Sequence, residues 1–277
     1  MSAPPQKKSD PLAGLFDRRS LLFLPASNPR AIAKARDSAA DMVILDLEDA
    51  VKAEDKDLAR DAAVEAVAVA WPMPVAIRVN GVGSEWHSLD LDAVARSNAN
   101  YAVVPRAISA HLVKGVADVT GKPVLAMIET AAGVLAAAAI APASAGLIAG
   151  TNDLSADLRL PADAGRASLQ TALQTILLAA RAADVPAFDG VYNALDDESG
   201  LLAEAAAGRL LGFDGKSLIH PSQIAPCNRA FAPSEAELDR ARRLVEAYNG
   251  GAERFDGAMV ERMHVEAARR LLERAAR

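Results

Sequence analysis

Short runs of apolar residues that end in polar side chains recur along the chain. In residues 123–130 (PVLAMIET), five apolar residues follow a proline and the run ends at Glu129 and a hydroxyl. Residues 145–150 (AGLIAG) form a second run, which leads into Asp153. This pattern is typical of buried parallel strands whose C-terminal ends carry the chemistry. Eight such strands are predicted, at residues 20–25, 42–49, 74–80, 101–106, 123–130, 145–150, 185–191 and 215–220.

Helical segments separate these strands. Asn28 and Pro29 predict the start of the first helix, as N-cap and first helical residue. Alternation of strand and helix, with polar residues at the strand ends, predicts an α/β protein: a (β/α)8 TIM barrel with its site at the C-terminal face. A doubly wound sheet is the alternative, but no GxGxxG loop follows the first strand. Further helices are predicted at about 54–70, 89–95, 110–119, 133–141 and 167–183.

The ends of the chain differ from the barrel pattern. Residues 1–18 are predicted to be a disordered lead-in without the apolar core of a signal peptide. Residues 19–233 are the predicted barrel, and residues 234–277 a C-terminal helical extension or lid. That extension contains two amphipathic helices, 235–248 and 259–276, joined by a hinge at 249–251.

Composition narrows the class of protein. The net charge of −6 over 277 residues provides no basic footprint for nucleic acid. The single cysteine, Cys227, excludes an intramolecular disulfide framework and fits a reducing cytoplasm. The longest uncharged stretch, 130–152, is rich in Ala and Gly and is broken by Pro142, so no membrane span is predicted.

Carboxylates gather at the predicted strand ends. Glu129 and Asp153 follow consecutive strands and are therefore expected to lie close enough to share Mg²⁺, which prefers oxygen ligands. Their spacing is equally compatible with solvated loop acids or helix caps. Asp46, Glu48 and Asp49 end the second strand, where they require a cation, an arginine or a ligand nearby.

The ordered motifs resemble the citrate lyase β-subunit family of CoA-ester lyases, within the HpcH/HpaI aldolase superfamily. They lie between residue 19 and about residue 233, each at a strand end. The matching stretches are RSLLFLPA (19–26), ILDLEDAV (44–51), IRVN (77–80), MIETAAG (127–133), GTNDL (150–154) and GFDGKSLIHPSQI (212–224).

This resemblance implies a divalent metal and a homotrimer or larger homo-oligomer. Glu129 and Asp153 correspond to the metal ligands, and side chains alone do not separate Mg²⁺ from Mn²⁺. Arg78 corresponds to the arginine that holds a carboxylate or carbonyl oxygen of the substrate. An ion pair of Arg78 with the strand 2 acids is also expected, because strands 2 and 3 are neighbours. Glu48 and Asp49 correspond to acids near the metal.

The implied reaction is cleavage, or formation, of a malyl-, citramalyl- or citryl-type CoA thioester, giving a 2-keto acid such as oxaloacetate and an acetyl thioester. Alternatives are a class II aldolase acting on free 4-hydroxy-2-keto acids, and a citrate lyase β-subunit acting on an acyl carrier protein thioester. Arg30 and Lys34, at the start of the first helix, are candidates for CoA phosphates. A solvated basic helix face accounts for them equally well.

Two features depart from the family pattern. Many relatives have a glutamate where this chain has Asn152, so a charge beside Asp153 is lost. In the tail, relatives often place an aspartate over a neighbouring subunit's site. Asp256 and Glu261 are the residues of this chain that could take that role.

Overall fold

A computed structural model of the chain describes residues 14–275. The chain divides into two compact units, Met1–Ala230 and Phe231–Arg277. The predicted lead-in lies outside the described residues up to residue 13. The described end of the predicted lead-in is not disordered: Leu15–Asp17 form a 3-10 helix, and the Leu15 side chain is buried in the barrel core.

Eight parallel strands close into a barrel in the first unit, which confirms the predicted (β/α)8 fold. Each strand pairs with its sequence neighbours, and the last returns to the first, where Leu21 aligns with Ser217. Numbered in chain order, the strands are β1 (Ser20–Pro25), β2 (Met42–Asp46), β3 (Val75–Arg78), β4 (Tyr101–Val104), β5 (Val124–Ile128), β6 (Gly146–Ala149), β7 (Ala187–Asp189) and β8 (Gly215–Leu218).

Helices follow the strands. The first begins as predicted: the Asn28 side chain accepts a hydrogen bond from the backbone N–H of Ala31, and Pro29 is the first helical residue. No helix among residues 14–275 is long and apolar enough to cross a membrane. The helices of this unit are α1 (Pro29–Arg36), α2 (Lys56–Val67), α3 (His87–Arg96), α4 (Ala110–Thr120), α5 (Ala131–Ile140), α6 (Thr151–Asp157), α7 (Gln170–Ala182), α8 (Glu198–Leu211) and α9 (Ile224–Phe231).

The strands after β1 end one to three residues earlier than predicted, and two of these ends bear on the site. Strand β2 stops at Asp46, because the Asp46 carboxylate accepts hydrogen bonds from the backbone N–H groups of Glu48 (2.9 Å) and Ala50 (3.0 Å). Such side-chain to backbone bonds turn the chain out of the ladder. After β6 the chain enters α6 at once, so that Asp153 lies in the first turn of a helix that the sequence analysis did not predict.

The barrel interior is filled with apolar side chains. Phe188 is fully buried there, as are aliphatic residues from the other strands. Filling by layers of inward-facing residues makes the barrel a packed core rather than a pore. The C-terminal ends of the strands line an open cavity above this core.

A buried ionic cluster holds β7, β8 and α8 together. The Lys216 ammonium lies 3.1 Å from the Asp189 carboxylate and 2.6 Å from that of Glu204. Arg166 contacts the other Asp189 oxygen at 2.9 Å. Both Lys216 and Asp189 are completely buried. The partners of each charge therefore offset its loss of hydration.

The second unit contains two helices and a β-hairpin: α10 (Glu235–Ala247), β9 (Glu253–Phe255), β10 (Ala258–Val260) and α11 (Arg262–Ala275). The hairpin was not predicted, and the helix expected from residue 259 begins at Arg262. Asp256 and Gly257 have φ values of 46° and 81°, as a two-residue hairpin turn requires. The Asp256 carboxylate pairs with Arg243 at 3.2 Å and with Arg240 at 3.5 Å.

Lys216→Met should lower the free energy of unfolding by about 3 kcal/mol, since it leaves two carboxylates without their buried partner. Urea unfolding followed by circular dichroism measures this change. Lys114→Met is the matched control, because Lys114 pairs with Asp118 on an exposed helix face. Equal midpoints for the two variants would show that the Lys216 cluster does not stabilise the barrel.

Candidate active site

A cavity of about 340 Å³ opens at the C-terminal ends of the barrel strands. One half of its wall is charged and comes from β2, β3, β5 and the loop and helix after β6. The other half is largely apolar and comes from β1, β8 and the residues just after β7 and β8. The lining residues are Phe23, Leu24, Pro25, Asp46, Asp49, Ala50, Arg78, Met127, Glu129, Ala149, Gly150, Thr151, Asn152, Asp153, Val191, Ser217 and Ile219.

Arg78 and Asp46 form a bidentate ion pair in the charged half. The Nε and Nη2 atoms of Arg78 each lie 2.6 Å from one oxygen of Asp46. The two residues are aligned in the β2–β3 register and are almost fully buried. Burial alone would lower the pKa of Arg78, but the charge of Asp46 and its hydrogen bonds raise it, so the guanidinium stays ionised. The expected ion pair with the strand 2 acids is present.

Glu48 and Asp49 approach Arg78 from the turn after β2. Glu48 Oε2 lies 2.8 Å and Asp49 Oδ2 3.6 Å from Arg78 Nη1. Burial raises the pKa of Glu48 to about 8, opposed by Arg78 and reinforced by the neighbouring acids. Glu48 is therefore mostly protonated at neutral pH. Asp49, in contrast, lines the cavity and is two-thirds exposed.

Lys56 fixes the turn that carries these acids. Its ammonium donates to the carbonyl oxygens of Leu47 and Glu48, both at 2.7 Å, and to Asn80 Oδ1 at 2.6 Å. Burial lowers the pKa of Lys56, against the raising effect of the surrounding acids. The helical pattern at 54–70 predicts only an ordinary helix for Lys56, because the contact depends on α2 packing beside the β2 turn.

Glu129 is buried at the end of β5 with one oxygen unmatched. Its Oε1 accepts a hydrogen bond from the backbone N–H of Arg106 at 2.6 Å. Its Oε2 has no hydrogen-bond partner among residues 14–275. Burial and the charge of Asp153 raise the pKa of Glu129 to about 7, although the Arg106 N–H opposes the shift. Arg106 has a φ of 47°, a strained value for a residue with a side chain.

Gly150 leaves the space that the Glu129 side chain occupies. A Cβ atom at residue 150 would lie 2.4 Å from Glu129 Cβ and from Oε2. Asp153 follows in the first turn of α6, and its Oδ1 lies 3.9 Å from Arg106 Nη1. The structure thus brings Glu129 and Asp153 to one cavity, and excludes the interpretation of Glu129 as a solvated loop acid, because Glu129 is 1% exposed.

The donors of this cavity fit a hard divalent cation. Glu129 presents a buried oxygen without a partner, and Asp153 adds a second carboxylate. Residues 14–275 contain no group of three or more His, Cys, Asp or Glu side chains placed to hold a metal. A cation held by two carboxylates keeps several waters, as Mg²⁺ commonly does, and leaves those positions for substrate oxygens.

The two candidates for CoA phosphates lie outside the cavity lining. Arg30 and Lys34 are exposed on α1, the helix that follows the cavity-lining Pro25. Asn152, the position of the lost charge, lines the cavity and exchanges hydrogen bonds with Asn193. Burial raises the pKa of the Cys227 thiol to about 12, which fits packing and argues against a nucleophile.

Comparison with known proteins matches this chain to two protein families. Residues 19–221 match the HpcH/HpaI aldolase/citrate lyase family, and residues 167–277 match a family described as carbon–carbon bond lyase of the TIM-barrel fold. A (3S)-malyl-CoA thioesterase of Cereibacter sphaeroides (strain ATCC 17025 / ATH 2.4.3) is 44% identical over 93% of this chain and 94% of its own length.

Two further relatives have different names. The citrate lyase subunit beta of Escherichia coli K12 is 36% identical, with 93% of each chain covered. The crystal structure of protein CitE from Mycobacterium tuberculosis, in complex with magnesium, acetoacetate and coenzyme A, is 37% identical. It superposes with a TM-score of 0.83 and covers 94% of this chain and 98% of that one.

The raised pKa of Glu129 predicts a pH-dependent stability of the metal-free protein. Because the folded-state pKa of about 7 exceeds the ordinary value of 4.5, the contribution of Glu129 is full below pH 4.5 and is lost as the pH rises through 7. Glu129→Gln removes this dependence. Relative to wild type, the variant should therefore gain up to about 3 kcal/mol between pH 4.5 and pH 8.

Urea unfolding in EDTA across this pH range measures the difference. Any pH-independent effect of the substitution shifts the whole curve and does not alter its slope. Parallel stability curves for the two proteins would contradict a raised pKa at Glu129.

Proposed function

The chain belongs to the HpcH/HpaI aldolase/citrate lyase family, and from this premise we propose that it is a metal-dependent carbon–carbon lyase. Its substrate is a malyl-, citramalyl- or citryl-type CoA thioester, which it cleaves to a 2-keto acid and acetyl-CoA or forms from them. The observation that carries the proposal is the unpartnered Oε2 of buried Glu129, which shares a cavity with Arg78 and Asp153.

In this proposal Glu129 and Asp153 are the metal ligands, with Mg²⁺ as the cation and Mn²⁺ as an equivalent in terms of oxygen ligands. The bound cation supplies Lewis acidity toward the hydroxyl and carboxylate oxygens of the substrate. Magnesium in the M. tuberculosis CitE complex supports this assignment. The excess of acids over arginines in the charged half favours a cation as well.

Arg78 is proposed to bind the acid end of the substrate. Asp46 holds its guanidinium in one orientation, so the positive charge faces the cavity before the substrate arrives. A charge fixed in this way stabilises oxyanion character without reorganising during the reaction. Arg78 therefore orients the substrate. Its positive charge also lowers the free energy of the negative charge that develops on the substrate beside Asp49 and Glu129.

The proton transfers are assigned to the turn after β2. Asp49, which lines the cavity, accepts the proton of the substrate hydroxyl as the C–O bond becomes a carbonyl. The C–C bond breaks, and its electron pair passes to the acetyl thioester as an enolate. The methylene carbon of that enolate then takes up a proton. Glu48, protonated at neutral pH beside Arg78, is the proton source in this proposal.

The CoA portion is too large for the cavity and lies at its mouth. Helix α1 starts four residues after Pro25, which lines the cavity. Its exposed Arg30 and Lys34 are proposed to meet the phosphates, with help from the helix N-terminus. Coenzyme A in the CitE complex supports a CoA thioester rather than a free acid as substrate.

A second candidate function is hydrolysis of the thioester. The 44% identity to a protein named (3S)-malyl-CoA thioesterase favours it. Both reactions bind the same acid end and place negative charge on the thioester carbonyl oxygen. They differ in the bond that breaks, and so in the products.

The lyase proposal is tested with purified protein, Mg²⁺ and (3S)-malyl-CoA, citramalyl-CoA or citryl-CoA. Acetyl-CoA and a 2-keto acid are the expected products, measured by mass spectrometry. Free CoA and the intact hydroxy acid would instead establish hydrolysis. Turnover of none of the three would reject both functions for CoA thioesters.

Arg78→Lys should lower kcat/KM about 100-fold or more, because lysine cannot keep two bonds to Asp46 while its charge faces the substrate. Arg19→Lys is the matched control. Arg19 also forms a bidentate pair, with Asp41, but at the N-terminal end of the strands. Equal losses in both variants would indicate general destabilisation rather than a role of Arg78 in the site.

Gly150→Ala should weaken Mg²⁺ binding at least tenfold, because the new Cβ displaces the Glu129 side chain. The rise of the thermal midpoint with Mg²⁺ concentration reports the affinity. Gly115→Ala is the control, since a Cβ there meets open space on α4 and should slightly stabilise the helix. Unchanged Mg²⁺ affinity in Gly150→Ala would remove Glu129 from the ligand set.

A further inference from the structure

The hydroxyl of Ser217 is buried in the cavity without a partner. Ser217 is 2% exposed and belongs to the cavity lining. Its Oγ has no hydrogen-bond partner among residues 14–275. Buried polar groups in folded proteins are nearly always hydrogen-bonded, so an unpaired hydroxyl that faces a cavity is available to an atom of a ligand or a water that enters it.

Ser217 lies on the floor of the cavity. It aligns with Leu21 of β1, whose side chain belongs to the barrel core. Phe23 and Met127, which also line the cavity, pack at the top of that core. Glu129, by contrast, comes just after the last residue of β5 and lies nearer the mouth.

Its surroundings are apolar on the same side of the cavity. Among the described residues, β1, β7, β8 and the residues just after them contribute six side chains to the lining, and Ser217 is the polar one. The others are Phe23, Leu24, Pro25, Val191 and Ile219. A neutral hydroxyl in such surroundings suits an acceptor oxygen of a small ligand and offers no charge to hold a phosphate.

The size of the proposed substrate decides which part reaches this floor. A closed eight-stranded barrel has a core filled by side chains, so CoA stays at the mouth. The acid end must enter first. This placement rests on the proposed function, in which the acid end is the part of the substrate small enough to bring its oxygens to Ser217.

We propose that Ser217 is a specificity-determining residue of the acid subsite, where its hydroxyl donates a hydrogen bond to an oxygen of the 2-keto acid. The small Ser217 side chain also leaves room for the substituent on the carbon that carries the keto group. This substituent is hydrogen in glyoxylate, methyl in pyruvate and carboxymethyl in oxaloacetate. The residue at 217 therefore sets which of these acids binds.

Calorimetric titration of the full chain with each of the three acids, in Mg²⁺, tests the assignment. Ser217→Ala should lower the affinity about tenfold for the acid that the wild-type protein binds most tightly. This is the usual effect of losing one hydrogen bond. Ser217→Thr keeps the hydroxyl and adds a methyl group. This variant should keep the affinity for glyoxylate and lower the affinities for pyruvate and oxaloacetate.

Thermal unfolding without ligand separates this role from a structural one. Ser217→Ala should not lower the midpoint, because the hydroxyl makes no hydrogen bond to any residue that the structure describes. Ser144→Ala is the matched control: Ser144 is buried outside the cavity and donates to the Ile140 carbonyl oxygen at 3.0 Å. It should lower the midpoint and leave acid affinity unchanged.

Two results would overturn the assignment in distinguishable ways. Wild-type affinity for all three acids in Ser217→Ala would remove Ser217 from the subsite and leave the proposed function standing. Failure of the wild-type protein itself to bind any of the acids with Mg²⁺ would reject the proposed function, and the role of Ser217 with it.

Discussion

The bidentate pair between Arg78 and Asp46 is the interaction on which the site depends. It joins the last residues of two adjacent strands and buries a charge that would otherwise require water. Asp46 also binds two backbone N–H groups of the following turn, so one carboxylate orients the arginine and shapes the loop beside it. Removing Arg78 would leave the buried charge of Asp46 without its ion-pair partner, which destabilises far more than the pair stabilises.

Negative charge collects around this pair in excess of the available arginines. The protein accommodates it by raising the pKa of Glu48 and Glu129, both through burial. A neutral Glu48 is useful to the proposed reaction as a proton source. The raised pKa of Glu129 is a property of the protein without cation, since a bound divalent ion would favour the ionised carboxylate.

The backbone of neighbouring residues determines where the Glu129 carboxylate lies, as does the conformation of its own side chain. The strained Arg106 directs its N–H to one carboxylate oxygen, and Gly150 leaves room for the other. Lys56 holds the opposite wall through two carbonyl oxygens. The cavity is thus charged on one side and apolar on the other before any ligand arrives, with the Ser217 hydroxyl on the apolar side.

The sequence by itself determined the barrel and the strand ends that carry the chemistry. Eight apolar runs, most of which end in acids or arginine, indicate parallel strands with one functional face, and local patterns such as Asn28-Pro29 set a helix start. The Asp256-Gly257 turn was an available signal that was not used. Only the tertiary structure decided which oxygen of Glu129 is free, that Lys56 supports the β2 turn and that Ser217 faces the cavity. These facts depend on side chains distant in sequence and on the space between strands, and no local pattern encodes either.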